Sequence, residues 1–288
     1  MSTKGLSWGP FSVQLDYDYS PAVRALEISK GGRLLAERIL RDRSRIEETL
    51  TRIAVFREDM GRIPANAVEE DPEQPYWTNG WLPAVDAAML YSLVASHRPS
   101  VYLEVGSGNS TKFVRRAIRD HSLATRIISI DPCPRAEVDA ICDEVIRSPI
   151  ENVDIDNVAA RLKSGDVVFV DNSHRGFQNS DVTVCFMELM PALPSGVCFG
   201  VHDIYLPYDY DPCHLDYFYN EQYYLGMYLL GGAVNDKIIM PAWYSCREPA
   251  LAPHVVTALD HPGIPHSTRS GSSFWMEFGA RVPTNGEK

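Results

Sequence analysis

The sequence predicts an α/β fold with a Rossmann-like, mostly parallel, doubly wound sheet of seven strands and an N-terminal hairpin and helix extension. Two observations predict it. From about residue 75 onward, short apolar runs that suit buried strands alternate with segments of helical periodicity. The first of these runs, Val101–Val105, leads into a glycine turn that opens a helix. We therefore expect two parts, an extension over residues 1–74 and a sheet domain over residues 75–288.

In the extension, residues 12–15 and 25–28 alternate loosely ahead of a Lys-Gly-Gly turn signal at 30–32, which predicts a small hairpin. Apolar residues recur at helical spacing over 44–60, and a linker with four carboxylates and two prolines follows at 65–75. We expect the extension to be a lid or a dimerisation element, and the latter would make the protein a homo-oligomer.

In the sheet domain, a helix over residues 83–96 should lead into the first strand, and a helix over 112–118 should follow the glycine turn. The other predicted strands are 126–130, 144–147, 166–170, 197–201, 237–240 and 273–278, and the other predicted helices are 155–162, 181–190 and 219–230. Because ligands in such sheets bind beyond the carboxyl ends of the strands, functional residues should follow directly after the strands.

Composition narrows the function classes. The 288 residues include 27 Lys and Arg and 38 Asp and Glu, which gives a net charge of −11 and weighs against a nucleic-acid partner. No apolar run is long enough to span a membrane and the first residues lack the apolar core of a signal peptide, so we expect a cytoplasmic protein without a membrane partner. The six cysteines form no C-x-x-C pair, which favours free thiols.

The glycine turn differs from a dinucleotide-binding loop. Gly106 and Gly108 permit close backbone approach to a ligand, and Ser110 is suited to cap the following helix. Thr111 stands where the dinucleotide fingerprint has a third small residue. Glu104, before the turn, would repel a phosphate and attract a cationic ligand.

The pattern Glu-x-Gly-x-Gly-x-Ser, followed by Asp131 at the end of the next strand, resembles the class I S-adenosylmethionine (SAM)-dependent methyltransferases. The resemblance implies that Glu104 faces the methionine end of SAM and that Asp131 accepts both ribose hydroxyls. It also implies that residues 76–81 cover the methionine portion, where Trp81 either faces the sulfonium or packs as part of a lid. Glu151 either accepts from the adenine amine or caps a helix. The expected cofactor contacts are Trp81, Glu104, Gly106, Ser107, Gly108, Ser110, Asp131, Glu151 and Asp171.

Polar residues follow the fourth and fifth strands of the sheet. Asp171 and His174 come after residues 166–170, and His202 and Asp203 come directly after 197–201. We expect these four residues to ligate a divalent metal, with Asp171, His174 and His202 also as catalytic residues. Oxygen-rich sites suit Mg or Mn, while two imidazoles also admit Fe, Co or Zn. Without a metal, either histidine can act as general base; the alternative for each residue taken singly is a helix cap or a packed side chain.

This cluster resembles the metal-dependent branch that contains catechol O-methyltransferase, macrocin-type sugar O-methyltransferases and cephalosporin-hydroxylase-like proteins. Asp171 and Asp203 match positions that hold magnesium in that branch, and His174 matches the histidine of a related Asp-x-Ser-His pattern. His202 departs from it because an acid is expected there, so the metal is softer, weakly held or missing.

The aromatic and acidic stretch 205–224 follows the fifth strand and is the expected acceptor side. Taken together, the sequence predicts a SAM-dependent methyltransferase that acts on a hydroxyl of a small sugar, natural product or peptide-like metabolite. The alternatives are a metal-dependent oxygenase or hydroxylase-like enzyme on the same fold, and a non-catalytic nucleoside-binding protein.

Overall fold

The structure, a computed structural model, describes residues 18–134 and 136–280. Its single sheet has seven strands in the order β3-β2-β1-β4-β5-β7-β6. Every neighbouring pair is parallel except those of β7, which runs antiparallel to β5 and β6. The strands are β1 Val101–Val105, β2 Arg126–Ile130, β3 Glu144–Ile146, β4 Val167–Val170, β5 Cys198–Val201, β6 Lys237–Pro241 and β7 Phe274–Glu277. The predicted fold class is confirmed.

The apolar runs form strands because both faces of the sheet are covered by helices. All four residues of β4 and of β5 are buried, as expected for central strands of a doubly wound sheet. The α-helices are α1 Lys30–Leu40, α2 Arg43–Val55, α3 Arg57–Met60, α4 Ala84–His97, α5 Asn109–Asp120, α6 Ile155–Ala159, α7 Asp181–Val184, α8 Met190–Ala192, α9 Glu221–Gly231, α10 Ala242–Ser245 and α11 Ala252–Ala258. A π-helical segment, Cys185–Leu189, joins α7 to α8.

The N-terminal extension differs from the prediction. Residues 12–15 lie outside the described residues, and the second expected hairpin strand is instead a 3-10 helix, Leu26–Ile28. Ser29 caps α1 by accepting a hydrogen bond from Gly32 N at 3.0 Å. Gly32 packs against the preceding turn, since a Cβ there would lie 2.0 Å from the carbonyl oxygen of Leu26. The glycines therefore permit close packing at a helix start and do not form a hairpin turn.

Hydrogen bonds attach the N-terminal extension to the edge of the sheet at β6. Asp42 accepts a hydrogen bond from Ile238 N of β6 at 2.9 Å, and Arg38 donates to the carbonyl of Asp236 at 2.6 Å. Apolar side chains of α1 and α2 belong to the same buried core as the strands. In the described part of the chain, no helix is long and apolar enough to cross a membrane.

Candidate active site

A cavity of about 530 Å³ lies at the carboxyl ends of β1, β2 and β4. Eight of the nine residues predicted to contact a cofactor line it: Trp81, Gly106, Ser107, Gly108, Ser110, Asp131, Glu151 and Asp171. Glu104, the ninth, does not line it. This first cavity is within the usual size range of small-molecule sites.

The two glycines of the turn have different roles. Gly106 has a φ of +83°, and a Cβ there would lie 1.8 Å from the carbonyl oxygen of Asp171, so the turn after β1 touches the end of β4. At Gly108, a Cβ would meet no atom within 4 Å among the described residues, its two chain neighbours aside. Gly106 is therefore required by the fold, whereas Gly108 leaves space at the cavity wall.

The helix after the turn begins at Asn109, three residues earlier than predicted. Ser110 therefore lies in the first turn of α5 and is not its cap, although it lines the cavity. The extended Gly108 takes the position before the helix, and its N–H donates to Thr111 Oγ1 at 3.1 Å.

Glu104 stabilises the glycine turn from outside the first cavity. Its fully buried carboxyl group accepts hydrogen bonds from Tyr102 Oη at 3.0 Å and from Thr111 Oγ1. Burial raises the pKa of Glu104 to about 7. The hydroxyl of Thr111 thus links the carboxyl group to the glycine loop, which explains why a small residue is absent at this position.

Asp131 holds the loops on both sides of the cavity. One carboxylate oxygen accepts from Ser107 N and the other from Cys133 N, each at 2.7 Å. Because a carboxylate offers about four acceptor sites, two remain for a ligand.

Glu151 lies in a 3-10 helix, Ile150–Asn152, after β3. Its Oε2 atom is buried without a hydrogen-bond partner in the structure, and the residue lines the first cavity. An unpaired buried acceptor is costly, so this atom is suited to receive a donor from a bound molecule.

Residues 76–82 form a turn at the mouth of the cavity, and Asn79 organises this turn. Its side-chain amide donates to the carbonyls of Tyr76 and Leu82 at 3.0 and 3.3 Å, and its oxygen accepts from Trp81 N and Leu82 N at 3.0 and 2.7 Å. Trp81, which is 66% exposed, is thereby held at the cavity mouth.

The four predicted catalytic or metal residues lie together. His174 Nε2 is 3.5 Å from Asp171 Oδ1 and 3.4 Å from Asp203 Oδ2. His202 Nδ1 is 3.4 Å from Asp171 Oδ1 and 3.6 Å from Asp203 Oδ1. His174 and Asp203 both adopt positive φ, +61° and +53°, a left-handed conformation that is uncommon outside glycine and concentrates at functional sites.

Two buried carboxylates that sequence analysis did not assign to the site complete this cluster. Glu221 Oε2 is 2.9 Å from His174 Nδ1, and Asp86 Oδ2 is 3.3 Å from His202 Nε2. Both carboxylates are fully buried. Asp86 is the one acidic residue of the mostly apolar α4, and a lone acid in a buried helix is the signal that could have indicated it.

Every ring nitrogen of the two histidines therefore faces a carboxylate. Burial by itself lowers the pKa of a histidine, but the carboxylates outweigh it, so the pKa of His174 and that of His202 are both raised. A protonated imidazole has no lone pair for a metal ion. In residues 18–134 and 136–280, no group of three or more His, Cys, Asp or Glu side chains is arranged to hold one.

Residues 103–204 match a family model that is described as a methyltransferase domain. This segment is similar to methyltransferase domains. It includes the glycine turn, Asp131 and the four predicted catalytic or metal residues, whereas Asp86 and Glu221 lie outside it. The predicted enzyme class is confirmed by this match.

Several solved methyltransferases are similar in structure. The O-methyltransferase TomG from Streptomyces achromogenes, in complex with SAM, is 14% identical with a TM-score of 0.39 over 81% of this chain and 90% of its own. The SAH-bound methyltransferase PaMTH1 from Podospora anserina is 14% identical with a TM-score of 0.37 over 65% and 81%. MycE of mycinamycin biosynthesis, in complex with Mg, SAH and mycinamycin VI, is 17% identical with a TM-score of 0.36 over 66% and 50%. No curated protein matches the chain.

Proposed function

We propose that the methyltransferase domain transfers the methyl group of SAM to a hydroxyl group of a small acceptor. One observation carries the proposal: Asp171 both lines the first cavity and contacts the two buried histidines. The carboxylate of Asp171 thus connects the first cavity, where we place the cofactor, with the histidine cluster, where we place proton transfer.

The residues of the first cavity fit SAM. The free acceptor sites of Asp131 suit two ribose hydroxyls, and the unpaired Oε2 of Glu151 suits the amine of adenine. The surplus of carboxylates at the rim favours a cationic ligand. When bound, SAM supplies a methyl group on positively charged sulfur.

Asp171 is the residue that we assign to the acceptor hydroxyl. Its side chain is 33% exposed, whereas those of His174 and His202 are 8% and 4% exposed, so an acceptor reaches the carboxylate first. As the oxygen–methyl bond forms and the sulfur–methyl bond breaks, Asp171 takes the hydroxyl proton into a cluster that has four carboxylates for two imidazoles. In this assignment the histidines position Asp171, whereas the sequence analysis expected a histidine to act as general base in the absence of a metal.

Calorimetric titration with SAM, paired with transfer of labelled methyl groups to a set of hydroxylated small molecules, tests this assignment. Asp131→Ala should weaken SAM binding by about 100-fold, because a buried acceptor for ribose is lost. Asp171→Asn should keep SAM affinity within about 3-fold and lower transfer by about 100-fold. Unchanged transfer in Asp171→Asn would overturn the role of Asp171, and no SAM binding by the wild-type protein would overturn the proposal.

Metal-assisted chemistry is the second candidate, and one observation favours it. The four distances from nitrogens of His174 and His202 to oxygens of Asp171 and Asp203, 3.4–3.6 Å, are longer than ordinary hydrogen bonds. The described side chains are not arranged to hold a metal as they stand. If an ion bound here, these four residues would hold it, and it would make the acceptor hydroxyl more acidic. Elemental analysis of protein purified without chelator, and transfer assays with EDTA and with added Mg²⁺ or Mn²⁺, separate this candidate and an oxygenase from metal-free methyl transfer.

The partner that we propose is a small hydroxylated metabolite and not a nucleic acid or a membrane, in keeping with the net charge of −11. The cytoplasmic location and the formation of a homo-oligomer stay predictions. Assays with and without added nucleic acid, cell fractionation and analytical ultracentrifugation test them.

A further inference from the structure

A second cavity, of about 820 Å³, lies beside the cluster. It is lined by residues of the N-terminal extension between 19 and 23, by residues between 209 and 223, and by Arg175 and Phe177. The loop from Asp171 to Phe177 contributes to both cavities, since residues 171–173 line the first. The two cavities are therefore neighbours on either side of one loop.

The wall of the second cavity is a continuous set of aromatic rings. Tyr219 contacts His214 in a stacked arrangement, with ring centroids 5.4 Å apart and planes inclined by 26°. Tyr210 contacts Tyr219 at 5.9 Å and Tyr223 at 5.8 Å, both edge-on. Tyr217 lies 5.6 Å from Tyr219. Such a wall favours a flat, unsaturated ring, because aromatic pairs gain from stacked and edge-on contacts.

Arg175 provides a positive charge at this wall. Its guanidinium carbon lies 5.1 Å from the ring centroid of Tyr219, and its nitrogens donate to the carbonyls of Tyr217 at 2.7 Å and Ser173 at 3.0 Å. Within residues 18–134 and 136–280, no carboxylate oxygen lies within 4.0 Å of its guanidinium nitrogens. An arginine that is fixed by carbonyls and lacks an acidic partner is suited to bind a carboxylate of a ligand.

The extension closes over this cavity. Arg24 donates to Asp209 at 3.0 Å, and its guanidinium lies 5.7 Å from the ring of Tyr223. Asp209, one of the two acidic residues that line the cavity, is thereby paired within the protein. These contacts hold residues 19–23 against the aromatic segment.

The cavity also reaches the cluster, because the rings of Tyr219 and His174 lie 4.7 Å apart. We propose that the second cavity binds the acceptor, and that the acceptor is a planar aromatic compound that carries a carboxylate group. That the ligand is the methyl acceptor rests on the proposed function; that the cavity binds such a compound does not.

Calorimetry on the full chain with three probes tests this proposal. The probes are 4-hydroxybenzoate, phenol, which lacks the carboxylate, and glucuronate, which has a carboxylate but no aromatic ring. We expect 4-hydroxybenzoate to bind at least about 10-fold more tightly than either of the others. This comparison needs no variant and is independent of folding effects.

Variants then locate the site. Arg175→Gln should reduce the affinity for 4-hydroxybenzoate to that for phenol, and Tyr219→Leu should lower it by about 10-fold. The matched control is Arg247→Gln, because Arg247 also lies over an aromatic ring, Trp243 at 3.2 Å, but outside the cavity. This control should bind 4-hydroxybenzoate like the wild-type protein.

Equal affinities for the three probes, no binding of 4-hydroxybenzoate up to about 10 mM, or an equal loss in Arg175→Gln and Arg247→Gln would overturn the proposal. Titration of the same samples with SAM separates the two hypotheses. If SAM binds and 4-hydroxybenzoate does not, the aromatic site is wrong and the proposed function stands. If 4-hydroxybenzoate binds and SAM does not, the proposed function fails and the cavity remains a binding site.

Discussion

The two cavities are built in different ways. The first is formed mainly by loops at the ends of β1, β2 and β4, and backbone groups make many of its contacts. The second is formed by residues of three segments that are distant in the sequence: residues 19–23, Arg175 with Phe177, and residues 209–223. Because of this difference, we expect substitutions at the first cavity to disturb folding or cofactor binding, and substitutions at the second to change the choice of acceptor.

The largest effect that this comparison predicts is at Gly106. Gly106→Ala places a Cβ 1.8 Å from the carbonyl oxygen of Asp171 at a φ of +83°, so we expect the free energy of unfolding to fall by about 4 kcal/mol or more. Gly108→Ala is the matched control, since a Cβ there meets no atom within 4 Å in the part of the chain that the structure describes, its two neighbours in sequence aside. It should cost less than about 1 kcal/mol while weakening SAM binding by about 10-fold.

Urea denaturation and SAM titration of both variants check this pair. If Gly106→Ala unfolds at the same urea concentration as the wild-type protein, the close contact between the β1 turn and the β4 end does not exist in solution. The claim that backbone contacts build the first cavity would then be wrong.

The next effect depends on pH and concerns Glu104. Its pKa is raised to about 7 in the folded protein by burial, so folding favours the neutral acid. The stability that this group contributes is complete below its ordinary pKa of 4.5 and is lost as the pH rises through 7. We expect a loss of about 3 kcal/mol between pH 4.5 and pH 8 relative to Glu104→Gln, whose neutral amide does not titrate.

Urea denaturation of both proteins at half-unit steps of pH measures the difference. Parallel curves for the wild-type protein and Glu104→Gln would show that the carboxyl group keeps an ordinary pKa. Glu104 would then face solvent or a ligand, as the sequence resemblance implied, and would not stabilise the glycine turn from outside the cavity.

Sequence analysis predicted the features that depend on residues close together in the sequence, such as the strands and the residues that follow them. All seven predicted strands are present, with three to five residues each. Asp131 and Asp171 follow strands directly, so the topology of a parallel sheet brings them to one edge. The prediction of a hairpin strand at residues 25–28 was wrong because Gly32 packs against Leu26, six positions earlier. Such packing does not change the alternation of apolar and polar residues, so the sequence pattern does not reveal it. The boundary at residue 74 stays a prediction.

What the sequence did not show is mostly long-range. Asp86 and His202 are 116 residues apart, and His174 and Glu221 are 47 apart, so no spacing rule connects them. The long stretch 205–224 contains a 3-10 helix, Pro212–Tyr217, that was not predicted, and the start of α9, which was predicted from residue 219. Its aromatic composition was visible in the sequence, whereas its contact with residues 19–23 depends on the fold.

A smaller effect is expected at Glu221, which belongs to the cluster and directly follows Asn220, a residue that lines the second cavity. Glu221→Gln removes the charge that faces His174 Nδ1 at 2.9 Å but keeps the shape of the side chain. We expect methyl transfer to fall by about 10- to 100-fold with SAM affinity unchanged, because partners of this kind orient catalytic groups. Steady-state kinetics and calorimetry measure the two quantities.

Asp166→Asn is the control for this prediction. Asp166 is also a buried carboxylate, and it accepts from Ser100 N, Val101 N and Lys163 N at the opposite ends of the strands. Its substitution should lower the free energy of unfolding by about 1–3 kcal/mol and leave transfer per folded molecule unchanged. If both variants lose transfer to the same degree, the loss reflects general destabilisation and not the positioning of His174.

The smallest effect is expected at Glu151, where the first cavity depends on a side chain and not on backbone. Glu151→Leu removes the unpaired buried Oε2 while keeping a similar size. The wild-type protein should bind adenosine about 10-fold more tightly than inosine, which lacks the exocyclic amine, a difference of about 1.4 kcal/mol. In Glu151→Leu the two nucleosides should bind equally, as calorimetry can measure. If the preference for adenosine persists in the variant, the loop backbone alone recognises the base, and the first cavity would then be built by backbone throughout.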